Sequence, residues 1–225
     1  MSNTSNITRI SRFGLVNCYL VREDDGLTLV DTMIGGGTKA IMAAATPLGA
    51  PIVRIALTHA HSDHIGSLDQ LHELLPDAEV LISSRDARLL RKDTSLDPDE
   101  PQTKLRGGIP GAKTTPTRTI EDGEMVGSLR AIATPGHTPG HLAFLDTRDQ
   151  TLLCGDVFST LGGVATSAKT NWKFPLPASA TWDKATELES AKKLLALAPT
   201  RLAPGHGKVV EAPEQAMTSA IDRGM

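Results

Sequence analysis

Short apolar runs alternate with longer amphipathic stretches along the chain, and the two patterns predict different elements. Short runs rich in Val, Ile and Leu that end at turn residues are typical of strands, and they occur at 7–13, 16–22, 27–30, 52–57, 80–82, 129–133, 142–145, 151–154 and 201–203. Apolar residues at helical spacing predict helices at 38–46, with Thr38 as N-cap, and at 65–75, 84–92, 182–195 and 212–221. We therefore expect an α+β fold.

Two long polar stretches, 93–117 and 159–180, show neither pattern. Irregular segments of this length inside a folded unit are usually functional loops. We expect these two loops to determine the specificity of any site they cover.

The two halves of the chain resemble each other in one segment. Residues 18–31 and residues 142–156 are each predicted to form a strand, a turn and a second strand that ends at an aspartate. Two strand-rich halves, each followed by a helix, would suit a sandwich of two sheets with helices outside.

The composition of the chain argues against some classes of binding partner. The 225 residues carry a formal net charge of −3, which argues against a general binder of nucleic acid or anionic membranes. No apolar run reaches 18 residues, and residues 1–10 lack the apolar stretch of a signal peptide, so a cytoplasmic protein without a membrane span is expected. Cys18 and Cys154 lie in apolar runs and are expected to be buried, inert thiols.

Metal-ligating side chains are concentrated in the segment His59-Ala60-His61-Ser62-Asp63-His64. His59 and His61 are two residues apart and point the same way in an extended chain. Asp63 and His64 follow where a helix is predicted to begin, so they can face a neighbouring position. Imidazole and carboxylate ligands suit zinc and its first-row neighbours. The segment therefore predicts ligands for two adjacent metal ions.

Three further candidate ligands stand beside glycines at predicted strand ends. These are His137, Asp156 and His206. Loops at strand ends can converge on one edge of a sheet. We expect His59, His61 and His137 to hold one ion, and Asp63, His64 and His206 the other. Asp156 can bridge both ions because a carboxylate has two oxygens.

These motifs together resemble those of the metallo-β-lactamase-fold hydrolase superfamily. The resemblance rests on His59-x-His61-x-Asp63-His64, then Gly136-His137, Gly155-Asp156 and Gly205-His206-Gly207, and it runs from Leu29 to His206. It implies a four-layer αββα sandwich of two mixed sheets, in a single domain that spans residues 1–225. It also implies two divalent metal ions, with zinc expected and manganese or iron accepted by the same ligands.

Other residues near these motifs have predicted supporting roles. His141 competes with His137 as a ligand, but His137 matches the family position, which leaves His141 as a strand residue or a partner of a ligand. Asp31 is expected to orient a ligand histidine through its free ring N–H. Phe158, Trp172 and Phe174 lie in or beside the second long loop and are expected to wall an apolar substrate pocket.

The function implied by the resemblance is hydrolysis of a small molecule. A hydroxide held between two ions would attack a lactone, a thioester or a related carbonyl or phosphoester bond, and Asp63 would orient it and carry its proton. No nucleic-acid or membrane partner is expected, and homodimer formation is left open. The alternative is an iron-dependent oxidoreductase that acts on persulfides or oxygen. A metal-bound scaffold without catalysis is a third hypothesis.

Branches of the superfamily differ around these motifs. True β-lactamases lack the bridging aspartate. Glyoxalase II is similar in its ligands but carries a helical substrate domain after the last histidine, where only residues 207–225 follow here. Acyl-homoserine lactonases are similar in size but place a tyrosine shortly after the bridging aspartate, where Val157-Phe158-Ser159 stand here. The substrate is therefore left open.

Overall fold

Two six-stranded β-sheets face each other in the computed structural model, which describes residues 6–224. In chain order the strands are β1 Ile7–Arg12, β2 Val16–Arg22, β3 Leu27–Val30, β4 Ile52–Ala56, β5 Glu79–Ser83, β6 Arg118–Ile120, β7 Met125–Val126, β8 Leu129–Ala133, β9 Leu142–Asp146, β10 Thr151–Gly155, β11 Phe158–Ser159, β12 Ala165–Thr166, β13 Arg201–Pro204 and β14 Val210–Glu211. The helices are α1 Thr38–Ala45, α2 Ser62–Ile65, α3 Leu68–Leu74, α4 Ser84–Leu90, α5 Leu176–Ala180, α6 Lys184–Leu195 and α7 Glu214–Gly224.

The first sheet has the order β1-β2-β3-β4-β5-β6. The first three strands are antiparallel neighbours, and β3, β4, β5 and β6 run parallel. Parallel strands end at the same edge of their sheet. The residues that follow β3 and β4 therefore emerge side by side.

The second sheet has the order β14-β13-β10-β9-β8-β7, with β10 and β13 as its parallel pair. In their register Leu153 lies opposite Ala203, and Gly155 lies opposite Pro204. The residues after these two strands emerge together, as they do in the first sheet. The short strands β11 and β12 pair only with each other among the described residues.

Three apolar layers hold the sheets and helices together. Between the sheets, residues such as Tyr19 and Val30 pack with Phe144 and Leu153. The outer face of the first sheet is covered by α1, α3 and α4, and that of the second by α6 and α7. The order helix, sheet, sheet, helix confirms the expected αββα sandwich.

The predicted elements differ from the structure where tertiary contacts intervene. The helix predicted at 65–75 is two helices, α2 and α3, because the chain turns at Gly66 and Ser67 against the loop that precedes α1. A Cβ on Gly66 would lie 2.4 Å from the Gly35 nitrogen, and the Ser67 hydroxyl donates to the Ile34 carbonyl at 2.9 Å. Thr38 is the first residue of α1, whose N-cap is Gly37 with no side-chain bond, so the predicted cap was wrong.

The two long loops have different characters. Residues 93–117 contain no helix or strand, as predicted, whereas 159–180 contain β12 and α5. The strands β6, β7 and β14 were not predicted because two or three residues are too few to show a period.

The structure bears on two expectations from composition, the burial of the cysteines and the absence of a membrane-spanning helix. Cys18 and Cys154 are fully buried free thiols, and burial raises the pKa of both. Within residues 6–224, no helix combines the length and the apolar character needed to cross a membrane. The expectation that no signal peptide is present rests partly on residues 1–5, which lie outside the described part.

Candidate metal centre

The first sheet supplies four of the candidate ligands through the loop after β4. His61 is extended, with φ −77° and ψ 152°, and α2 begins at the next residue. Asp63 and His64 therefore lie in a helical turn, while His59 and His61 precede it. The three histidines are almost fully buried, and the Asp63 side chain is 32% exposed.

The second sheet supplies the other three candidates from three strand ends. His137 follows β8, Asp156 follows β10 and His206 follows β13. A glycine is required before Asp156: Gly155 has φ +51°, and a Cβ there would lie 2.5 Å from a nitrogen of the His141 ring. The chain can therefore turn tightly enough to place the Asp156 carboxylate between the sheets.

The first ligand group consists of His59, His61 and His137. The Nδ1 atom of His61 lies 3.1 Å from Nε2 of His59 and 3.0 Å from Nε2 of His137. Three nitrogens bound at about 2.0–2.1 Å to one zinc-sized ion would have a similar mutual spacing. The group therefore has the geometry of a three-histidine site.

The second ligand group consists of Asp63, His64, Asp156 and His206. The Nε2 atom of His206 lies 3.1 Å from Oδ2 of Asp156 and 3.4 Å from Oδ2 of Asp63, and Nε2 of His64 lies 3.2 Å from Oδ1 of Asp156. Oδ2 of Asp156 is also 3.4 Å from Nε2 of His137. Asp156 thus contacts histidines of both groups through its carboxylate oxygens.

The remaining ring nitrogens of the first group contact polar atoms outside it. Each of the three contacts is 3.0 Å long: Thr58 Oγ1 with His59 Nδ1, Arg106 O with His61 Nε2, and Thr181 Oγ1 with His137 Nδ1. Such partners fix the orientation of a ligand ring. Neither threonine was predicted from the sequence. Only Thr58, which directly precedes His59, carried a local signal.

The second group is oriented in the same way. Asp31 Oδ2 lies 2.8 Å from His64 Nδ1, and the Leu15 carbonyl lies 2.8 Å from His206 Nδ1. Asp31 also accepts a hydrogen bond from the Thr58 backbone at 2.8 Å, so it connects the ends of β3 and β4. Its position agrees with the expected role of orienting a ligand histidine.

Both ring nitrogens of His141 have partners outside the ligand groups. Its Nδ1 lies 2.8 Å from Thr134 Oγ1, and its Nε2 accepts from the backbone N–H of Asp156 at 3.2 Å. Burial lowers the pKa of His141 to about 3, so the ring is neutral and can accept that bond. His141 therefore holds the Asp156 backbone, while His137 faces the other candidate ligands.

The two groups differ in electrostatics. Burial lowers the pKa of all three histidines of the first group, so their rings are neutral and keep a lone pair for a metal. Burial also acts to lower the pKa of His64 and His206, but the Asp156 carboxylate outweighs it and raises both, that of His206 to about 10. Burial acts to raise the pKa of Asp63, yet His206 and His64 lower it to about 2. In the second group, the carboxylates therefore favour positive charge at His64 and His206, as they would favour a bound cation.

Two buried atoms support the fit of these residues to metal ions. Nε2 of His64 and Oδ1 of Asp156 face each other at 3.2 Å, but within residues 6–224 neither atom makes a hydrogen bond of good geometry. Buried polar atoms are rarely left unpaired in proteins. Together with the crowding of nitrogen and oxygen donors around Asp156, they suggest that the cluster holds two metal ions.

Two buried carboxylates that the sequence analysis missed support the ligand loops from behind. Asp86, in α4, accepts from the backbone N–H of Ala60 at 3.0 Å and of Gly140 at 2.8 Å, and thereby joins the loops after β4 and β8. Burial raises the pKa of Asp86 to about 6. Glu187, in α6, accepts from the Ser167 hydroxyl at 2.6 Å and from the His137 backbone, and burial raises its pKa to about 8.

A cavity of about 400 Å³ opens beside the second ligand group. Asp63, Asp156, His61 and His206 reach its wall, and the Phe174 ring lies 5.3 Å from the His206 ring. Both long loops contribute to this wall, through Gly107 and Gly108 and through the residues around α5.

Two of the three predicted pocket aromatics do not line this cavity. Phe158 is fully buried between the second sheet and its helices, because β11 carries it into that apolar layer. Trp172 is 89% exposed and lines a different cavity, with Lys169 and Arg223. Of the three predicted aromatics, only Phe174 lies where the sequence analysis expected it.

Gly107 should be essential for the first ligand group. It has φ +79°, and a Cβ there would lie 2.4 Å from Nε2 of His61, whose position the neighbouring Arg106 carbonyl also sets. We expect Gly107→Ala to displace the His61 ring and to weaken the affinity of one metal ion about 10- to 100-fold, as losses of ligand support do. Metal titration by calorimetry measures this.

Gly123→Ala is the matched control for that variant. Gly123 has a similar φ of +85°, but a Cβ there would meet no atom within 4 Å. Both variants carry the same backbone strain, so equal metal affinities in the two proteins would contradict a specific role for Gly107.

Comparisons with known proteins agree with this geometry. Residues 11–206 match the family model described as the metallo-beta-lactamase superfamily. Relatives in Bacillus subtilis include the uncharacterized protein YobT, 51% identical over 92% of this chain and 90% of its own, and the probable metallo-hydrolase YflN, 31% identical over 86% and 81%. A hydroxyacylglutathione hydrolase of Gloeobacter violaceus is 31% identical over 62% of this chain, which spans 48% of that relative.

A solved structure has a fold similar to that of this chain. The crystal structure of TTHA1623 in a di-iron-bound form superposes with a TM-score of 0.69, at 27% identity, over 93% of this chain and 96% of its own. The αββα sandwich, the two His/Asp groups at its edge and the family match lead to one conclusion. The chain belongs to the metallo-β-lactamase superfamily.

Proposed function

We propose that this protein is a dinuclear metal-dependent hydrolase that cleaves a small ester-like substrate, a lactone, a thioester or a related carbonyl or phosphoester bond. The observation that carries the proposal is the sharing of Asp156 between two ligand groups that reach an open cavity. Relatives named as metallo-hydrolases support the reaction class. The ligand chemistry favours zinc, and manganese or iron suits the same donors.

The residues divide into those that hold the ions and one that manages a proton. His59, His61 and His137 would hold one ion, and His64, His206 and Asp63 the second, with Asp156 between them. When bound, two ions polarise a substrate oxygen and make water a stronger nucleophile near neutral pH.

Asp63 is our candidate for the residue that moves a proton. Its carboxylate is partly exposed to the cavity, and it is ionised because His206 and His64 lower its pKa to about 2. A carboxylate with so low a pKa would not keep a proton, so it would orient the attacking water and pass that water's proton to the leaving group. Leu15 and Phe174 place apolar surface in the wall of the same cavity.

Replacing Asp63 by asparagine tests the proposal. The asparagine amide would keep an oxygen for the metal but could not accept the proton, so we expect kcat to fall by about 10²- to 10⁴-fold while two metal equivalents remain bound. Turnover of an ester, lactone, thioester and phosphodiester panel, with metal content measured in the same samples, checks this. Asp77→Asn, at an exposed position outside the site, is the control. Unchanged turnover at full metal occupancy would exclude this role for Asp63.

An iron-dependent oxidoreductase is the second candidate, because a related fold has been solved with two irons bound. The presence of both complete ligand groups favours hydrolysis. Stoichiometric redox-active iron after neutral purification, together with oxygen consumption, would favour the oxidoreductase instead. A fully metallated protein that turns over no substrate of either class would indicate a scaffold.

A further inference from the structure

Part of the wall of the candidate catalytic cavity is apolar. Seven apolar side chains from three separate segments form this part, and they are Leu15, Val16, Ile34, Phe174, Leu176, Pro177 and Ala180. Phe174 packs near His206, so this surface begins directly beside the second ligand group. Apolar walls of this kind favour the transfer of a hydrocarbon group out of water.

The charged side chains that line the cavity also restrict which substrates it can bind. Among the residues that the structure describes, its lining includes no lysine or arginine, and the acidic residues there are Asp63 and Asp156, both already assigned as candidate ligands. Lys169 and Lys173, the cations of the second long loop, line a different cavity together with Arg223. Apart from the candidate ligands, the described residues around this cavity offer the Ser62 and Ser179 hydroxyls as polar side chains, so a carboxylate or phosphate on the distal part of a substrate would lose hydration here without gaining a cationic partner. Such an anion would then be attracted to the metal ions, and it would compete there with the bond that is to be cleaved.

Apolar side chains also lie at the mouth of the cavity. Leu15 and Leu176 stand at its mouth and are 44% and 61% exposed. The volume of about 400 Å³ lies within the range of small-molecule sites. A hydrocarbon chain that fills it can extend along these two residues.

We infer that the substrate is an uncharged ester or thioester with an apolar acyl chain, and that Leu176 and Phe174 select it. This inference rests on the proposed hydrolase function. The acyl chain lies against α5 while the carbonyl reaches the ligand groups. Each added methylene should raise kcat/KM by up to about three- to fourfold until the chain passes the rim.

Two aryl esters of equal length test the inference with the metal-loaded enzyme. p-Nitrophenyl hexanoate ends in a methyl group, and the p-nitrophenyl monoester of adipic acid ends in a carboxylate. We expect the wild-type protein to prefer the hexanoate at least tenfold in kcat/KM. Leu176→Lys places a cation at the mouth and should shift this ratio at least tenfold toward the adipate ester.

Leu74→Lys is the matched control for this variant. Leu74 is also an exposed leucine, 57% accessible, but it ends α3 and does not line the cavity. The substrate ratio should therefore stay that of the wild type. Equal use of the two esters by the wild type, or a ratio that Leu176→Lys leaves unchanged, would overturn the inference.

A binding measurement separates this inference from the proposed function. If neither ester is hydrolysed, the hydrolase proposal loses its support, and the unreactive anilides of the same two acids then decide the inference by titration calorimetry. Tighter binding of the hexanoic anilide supports an apolar substrate. Equal binding, or tighter binding of the adipic anilide, contradicts it.

Discussion

Asp156→Asn is expected to abolish most of the activity by disrupting both ligand groups at once. The Asp156 carboxylate lies within 3.1–3.4 Å of ring nitrogens of three histidines, His64, His137 and His206. An amide keeps only one oxygen and no charge, so it cannot bridge two cations. Loss of an outer partner of a metal ligand already costs about 10- to 100-fold, and we expect a loss of at least that size in kcat/KM here.

The measurement pairs metal content with activity. Elemental analysis of Asp156→Asn should give clearly fewer than two metal equivalents under conditions that saturate the wild type. Asp146→Asn is the control, because Asp146 is also fully buried at a strand end but pairs with Arg148 instead of a histidine. It should lower the melting temperature and leave the metal content unchanged. An Asp156→Asn protein that retains two ions and wild-type turnover would refute the bridging role.

Glu187→Gln is expected to stabilise the protein at alkaline pH. Burial raises the pKa of Glu187 from 4.5 to about 8, although the Ser167 hydroxyl and the His137 backbone partly oppose this. In the described part of the chain, its Oε2 atom has no hydrogen-bond partner. A folded-state pKa above the unfolded value means that folding favours the protonated acid. The free energy of unfolding therefore falls as pH rises from about 4.5 to about 8, and it levels off above that window.

The size of the change in the free energy of unfolding follows from the shift in the Glu187 pKa. A difference of about 3.5 pKa units, from 4.5 to about 8, corresponds to an upper bound of about 5 kcal/mol. Glutamine has no charge to bury, so the variant should gain stability relative to wild type between pH 5 and pH 9. Urea unfolding across that range measures the difference.

A neighbouring glutamate on the same helix provides the control for Glu187→Gln. The Glu189 side chain is 70% exposed and pairs with Lys192, so Glu189→Gln should leave the pH profile of stability almost unchanged. Parallel profiles for wild type and Glu187→Gln would show that Glu187 does not titrate between pH 5 and pH 9.

The candidate ligands could be predicted from sequence because their chemistry is local. His59, His61, Asp63 and His64 lie within six residues, and histidine or aspartate beside glycine at a strand end has few structural explanations. The structure places all seven predicted ligands in two adjoining groups. The strands were predictable for a similar reason, since Val16–Arg22, Leu27–Val30 and Leu129–Ala133 are continuous apolar runs.

The residues that support and surround the site depend on contacts between distant segments. Asp86 and Glu187 look like ordinary polar residues of amphipathic helices until packing buries them behind the ligand loops. Phe158 and Phe174 are equivalent in a sequence pattern, yet one lies in the core and the other in the cavity wall. Gly107 touches His61 only because the loop 93–117 returns to the site.

The division of the ligands between the two sheets has a consequence for how the protein folds. Each ligand group takes residues from both halves, and the ligands of the second group extend from Asp63 to His206 along the chain. Contacts this distant in sequence form slowly, and either half alone would hold an incomplete site. Metal uptake would therefore follow the docking of the two sheets, so it would mark completed folding and could not nucleate it. Once bound, the ions would slow the separation of the halves, so the kinetic stability of the protein would depend on the supply of metal.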